Sequence, residues 1–103
     1  MSAAELALIQ ARIEAVLFMS NDPVPAQRLS ELLNVDLSGI RKVTKLLKKH
    51  YDSPDRGIEL KEISGGYHFR TKREHADIIK EAIQAPPPKL VSFFDRAFGR
   101  WTD

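Results

Sequence analysis

The stretch GIELKEISGGYHFRTK, residues 57–72, constrains the fold more than any other part of this chain. Two runs of mixed apolar and charged residues flank Gly65 and Gly66, and a glycine pair suits a two-residue hairpin turn in which both turn positions take positive φ. Pairing across a Gly65-Gly66 turn sets Ser64 opposite Tyr67, Glu62 opposite Phe69 and Leu60 opposite Thr71. Ile58, Leu60, Tyr67 and Phe69 then share one face. On the other face Glu59 meets Lys72, Ile63 meets His68, and Lys61 opposite Arg70 is a like-charge pair. A lone two-stranded ribbon is marginal in water, so the rest of the chain must cover its apolar face.

Helical patterns precede the ribbon. Leu6, Ile9, Ile13, Val16 and Leu17 recur at three- and four-residue spacing and predict a first helix from Glu5 to Met19, stopped by Ser20, Asn21, Asp22 and Pro23. A second helix is expected from about Ala26 to Leu33, with Pro25 at its start, Leu29, Leu32 and Leu33 on its buried side, and Asn34 as a left-handed C-cap. Only Val35 and Asp36 separate it from a third, about Leu37 to His50, which turns Ile40, Val43, Leu47 and Tyr51 inward and takes Asp36 as its N-cap. Thr71 and Glu74 have the spacing of a capping box opening a fourth helix to about Gln84, with Ile78, Ile79, Ala82 and Ile83 on its apolar side. Pro86, Pro87 and Pro88 then impose a stiff, extended spacer.

Three helices, the last two in tight sequence, then a two-stranded wing and a fourth helix, give the order of a winged helix: an α+β fold, mainly helical. The domain is expected over residues 1–85, with a proline linker and an aromatic tail over residues 86–103. One small core fits a chain of 103 residues in which 43% are apolar. The chain has no cysteine, which removes disulfides and thiolate metal sites and accords with a reducing cytoplasm. The N-terminal segment is interrupted by Glu5, Gln10, Arg12 and Glu14, and reads as neither a signal peptide nor a membrane span.

The segments IEAVLFMSNDPVPAQRLSELLNV, GIELKEISGGYHFRTKREHADIIKEAI and PPPKL together resemble the N-terminal winged-helix domain of the segregation and condensation protein B family, over about Ile13 to Leu90. The resemblance implies a non-enzymatic, nucleoid-associated subunit of a chromosome segregation complex. Such a subunit forms a homodimer through its N-terminal winged helix and holds a kleisin of a structural-maintenance-of-chromosomes ATPase. It also implies a second winged helix after the prolines. SFFDRAFGRWTD stands there instead, so dimerisation carries over more fully than the whole kleisin grip.

Three surfaces suit a macromolecular partner, each with a plainer reading beside it. Arg41, Lys42, Lys45, Lys48 and Lys49 span roughly 120° of the third helix opposite its buried stripe, with no acidic residue between Asp36 and Asp52. This face is either a solvated surface or a nonspecific contact with DNA phosphates. Tyr67 and Phe69, with His68 and Arg70 on the wing, either cover the domain's own core, or stack on a nucleic acid or pack on a second subunit. Phe93, Phe94, Phe98 and Trp101 are four of the chain's eight aromatics; they fold back onto the domain or dock on a partner. Leu8 and the alanine-rich turns of the first helix exceed what one core stripe needs, and can face a second copy.

Catalytic chemistry has no recognisable set of convergent groups here. His50, His68 and His75 lie on different elements, read as surface histidines and have no metal-ligand spacing. The Gly65-Gly66 pair lacks the Lys-Ser or Lys-Thr of a phosphate loop. Neither an enzyme nor a small-molecule substrate or cofactor is expected.

Overall fold

A computed structural model of the chain describes residues 1–84. The chain divides into two units, Met1–Lys72 and Arg73–Asp103.

In the first unit, helix α1 spans Ala3–Met19. It begins at Ser2, whose hydroxyl accepts from the Glu5 amide at 3.1 Å, satisfying one of the donors that a helix start leaves open. Strand β1, Val24–Pro25, follows the Asp22-Pro23 stop. Helix α2, Ala26–Leu33, ends at Asn34 in the left-handed conformation (φ 55°, ψ 47°). The Val35 amide then reaches back to the Ser30 carbonyl at 3.1 Å, which folds Val35 under the domain, where it packs against the core. Helix α3, Leu37–Tyr51, starts at Asp36, whose carboxylate accepts from the Gly39 amide at 3.2 Å. Strands β2, Ile58–Ile63, and β3, Gly66–Thr71, form the wing.

The core consists of Ile13 and Leu17 from α1, Val24 from β1, Leu29 from α2, Ile40, Val43 and Leu47 from α3, and Leu60 from β2. Each fully buried aliphatic side chain of this kind contributes about 1.5–3 kcal/mol. The α1 and α3 spacings therefore point inward as expected. Leu32 does not: it is 50% exposed. On an eight-residue helix cut off by Asn34, Leu29 and Leu33 with the returning Val35 fill the space beneath α2, and Leu32 falls outside it.

The ribbon has a different register from the one expected. Leu60 pairs with Phe69, Glu62 with Tyr67, Glu59 with Arg70 and Ile63 with Gly66. The turn is Ser64-Gly65, both at positive φ (51° and 79°), so it sits one residue earlier than a Gly65-Gly66 turn. Each β2 residue thus moves by two positions along its partner. Because strand side chains alternate with period two, Ile58, Leu60, Tyr67 and Phe69 still share a face. The like-charge pair disappears, and the Arg70 Nε lies 3.4 Å from the Glu59 carboxylate.

The physical reason is a third strand. Val24 pairs with Tyr67 and Pro25 with Gly66, giving a sheet in the order β1-β3-β2. A Cβ on Gly66 would lie 2.9 Å from the Pro23 carbonyl carbon and 3.1 Å from that of Val24. Gly66 is therefore glycine because β1 crosses against it, while Gly65 supplies the turn. The fold is a winged helix, mainly helical with a small three-stranded antiparallel sheet.

Thr71 does not open the fourth helix. It is the last residue of β3, paired with Ile58, and the next residue is tied down twice: the Lys72 amide donates to the Gly57 carbonyl at 2.9 Å and its Nζ to the Ser53 carbonyl at 2.7 Å. Extended pairing removes the turn geometry that a capping box at Thr71 and Glu74 requires. In the second unit a 3-10 turn, Arg73–His75, leads instead into α4, Ala76–Gln84.

Candidate macromolecule-docking surfaces

All five cations of the basic face, Arg41, Lys42, Lys45, Lys48 and Lys49, are exposed. Ile40, Val43 and Leu47 occupy the opposite side of the same helix, so a single helical period produces both faces. Between α3 and the wing lies a groove of about 450 Å³. Arg41, Lys45 and Lys48 rim it, Leu60 and Tyr67 belong to its wing side, and Glu62 is its acidic member. Ion pairs among the described residues lie elsewhere: Glu59 holds Lys61 and Arg70 on the wing, and Glu74 faces His75.

A second cleft, about 410 Å³, is almost entirely apolar and is lined by Glu14, Ala15, Phe18, Tyr51, Ile58 and Phe69. Phe69 stacks edge-on against Tyr51, with ring centroids 5.1 Å apart, and both Tyr67 and Phe69 pack partly buried against the core. The Tyr51 hydroxyl donates to the Glu14 carboxylate, clamping the end of α3 to α1. Burial, reinforced by this bond and by the charge of Glu14, pushes the Tyr51 hydroxyl up from its ordinary value of 10.0 to about 12.

A group whose pKa is raised on folding adds stability that is whole below its unfolded value and lost as pH climbs through the folded one. The Tyr51 contribution is thus expected to disappear between pH 10 and about 12. Urea midpoints measured from pH about 9 to about 11.5 should fall more steeply for the natural chain than for Tyr51→Phe; equal slopes would remove Tyr51 as the titrating group.

Leu8 is 50% exposed. Ala4, Leu8, Ala11, Ala15 and Phe18 are all exposed, and their spacing puts them within roughly 80° of arc along α1. This is the heptad-like spacing of a helix seam, and it runs into the apolar cleft at Ala15 and Phe18. The stripe was visible in the sequence as alanines in step with Leu8. The cleft was not, because Glu14 and Tyr51 are far apart in the chain. Phe93, Phe94, Phe98 and Trp101 lie outside the described residues.

His68 is half-buried rather than a surface histidine, and its Nδ1 is buried without a hydrogen-bond partner. Among the described residues no group of three His, Cys, Asp or Glu side chains is arranged to hold a metal, and no helix is long and apolar enough to cross a membrane.

The winged helix with its twin-glycine wing can be compared with known proteins. The family model described as "Segregation and condensation complex subunit ScpB" matches residues 11–93. The chain belongs to this family. The segregation and condensation protein B of Geobacillus thermodenitrificans is 35% identical over 84 residues, covering 81% of this chain and 40% of that protein. That of Streptococcus pneumoniae (strain Hungary19A-6) is 40% identical over 78 residues, covering 74% and 41%. The chain therefore spans about two fifths of the length of the curated relatives it matches.

Among solved structures, a dimer of the ScpB N-terminal domain complexed with ScpA peptide superposes with a TM-score of 0.73 at 29% identity, covering 76% of this chain and 98% of that one. ScpB from Mycobacterium tuberculosis shares the fold, with a TM-score of 0.72 at 23% identity, covering 87% and 55%.

Proposed function

We propose that this chain is a non-enzymatic module of a chromosome segregation and condensation complex. It dimerises through its winged helix and docks on a kleisin, of the ScpA type, belonging to a structural-maintenance-of-chromosomes ATPase in the cytoplasm at the nucleoid. One observation carries the reading: a solved ScpB N-terminal domain that this chain covers almost end to end is a dimer holding an ScpA peptide.

Two surfaces support it. The Ala4, Leu8, Ala11, Ala15 and Phe18 stripe offers small residues that let two helices approach closely, with Leu8 as the knob. The apolar cleft between α1, α3 and the wing is of the kind into which a peptide helix lays its apolar side.

Leu8→Arg would set two buried, like charges against each other across a two-fold seam. Sedimentation equilibrium is expected to give twice the chain mass for the natural protein and the monomer mass for the variant. A dimer that survives Leu8→Arg would displace the seam from α1. Capture by the full chain of a kleisin fragment from the same cell tests docking directly, and a clean failure to bind would overturn it.

A further inference from the structure

The cations of α3 take no part in a seam on α1 or in the apolar cleft, and they are arranged at the helix's own expense. Arg41, Lys42, Lys48 and Lys49 occupy the i−4, i−3, i+3 and i+4 positions around Lys45. Those are the four side chains that meet a helical residue on its own surface, and like charges there destabilise the helix. Lys48 and Lys49 lie in the last turn, where the negative end of the macrodipole favours them. Arg41, Lys42 and Lys45 lie before it and gain nothing. The core does not need these residues either, because Ile40, Val43 and Leu47 do the packing.

None of the five is in an ion pair among the described residues. The Asp36 carboxylate is occupied by the Gly39 amide and the Ser38 hydroxyl, and Glu62 is the single acid on the groove among the described residues. A patch that repels itself and has almost no acid of its own beside it is complementary to a dense external polyanion.

We propose that this face of α3, with the groove it shares with the wing, binds the phosphate backbone of duplex DNA without regard to sequence. From Arg41 to Lys49 the helix advances about 12 Å, the width of a DNA major groove. The charges also spread over roughly 120° of its circumference, so they can meet phosphates on both walls of such a groove. One extended acidic peptide would engage only a line of them. Asn and Gln, the residues that read adenine edges, are absent from α3, and contacts made to phosphates position the protein without selecting a site. The inference does not depend on kleisin docking.

Fluorescence anisotropy of the full chain with a labelled duplex of about 20 base pairs, at rising salt, tests it. Association is expected at low salt, and log K should fall against log salt with a slope near −4, as for four to five neutralised phosphates. Two duplexes of unrelated sequence should agree within about threefold.

Lys45→Glu should weaken binding by at least about tenfold and flatten the slope by one to two. The same change should raise the melting temperature, because four repulsive neighbour pairs become attractive. A higher melting temperature with lost binding separates the proposal from simple unfolding, and Lys45→Gln should lie between the two in both measurements. The proposal is overturned by no anisotropy change at about 50 mM salt, by a flat salt dependence, or by unaltered affinity in Lys45→Glu. It is also overturned if a Glu-rich peptide displaces the duplex at lower concentration than unlabelled duplex does, which would give the face to a protein.

Discussion

Gly66→Val is expected to destabilise the domain by roughly 3 kcal/mol or more, enough to leave much of it unfolded near physiological temperature. The first atom beyond Cα already lies 2.9 Å from the Pro23 carbonyl carbon and Cβ. The carbonyl carbon is main chain, so no rotamer change relieves the clash; β1 must leave the sheet. Val24, one of the eight buried core residues among those described, would leave with it. Gly65→Ala is the control. A Cβ at Gly65 meets nothing within 4 Å, and its cost is the left-handed φ of 79°, about 1–2 kcal/mol. Urea unfolding should therefore rank Gly66→Val well below Gly65→Ala. Equal effects would mean that β1 does not hold the wing in place.

The same two glycines mark how far the sequence could be read. Their presence announced a hairpin, but sequence alone does not say which glycine serves the turn and which serves a neighbouring strand. Ser64 accepts positive φ, so the turn moved one residue toward the N-terminus and released Gly66 to face Pro23. The apolar face survived this error because an offset of two residues preserves alternation. β1 was invisible because Val24–Pro25 is too short to show any period, and Pro23 read as a stop. The Thr71 and Glu74 spacing was a local signal overridden by pairing to Ile58 and by the Gly57 carbonyl, both distant in sequence.

The first three helices were legible for the opposite reason, since their spans and their caps depend on residues within about one turn. Asn34 and Asp36 fix the α2–α3 junction by local geometry alone. The basic face followed directly, because once Ile40, Val43 and Leu47 are inside, Arg41, Lys45 and Lys48 have only the outside left. The apolar cleft depends instead on α1, α3 and the wing coming together, and no local pattern encodes the Glu14 bond to Tyr51. The two surfaces thus differ in kind: one is a property of a helix, the other of the tertiary fold.

Leu47→Ala separates the scaffold from the charge it carries. Leu47 is 1% exposed in the core, and its truncation removes buried methyl groups and leaves a cavity that the surroundings fill only in part. A loss of about 2–5 kcal/mol is expected, against a total of about 5–15 for a domain. For a unit of this size each kcal/mol lowers the melting temperature by about 4–8 °C, so the fall should be at least about 8 °C. Leu46, 39% exposed on the neighbouring position, should change stability by no more than about 0.5 kcal/mol when made alanine. Below its own melting point Leu47→Ala should bind duplex DNA as the natural chain does, since every cation of α3 remains. Lys45→Glu, by contrast, should melt higher while binding less. Stability would then fall with no loss of polyanion affinity on the inner face of the helix and rise with a loss of affinity two residues away on its outer face, as they must if that helix retains mutual repulsion on its outer face for the sake of a partner. If Leu47→Ala lost affinity at a temperature where it is folded, the contacts would depend on core packing and not on the array of charges alone.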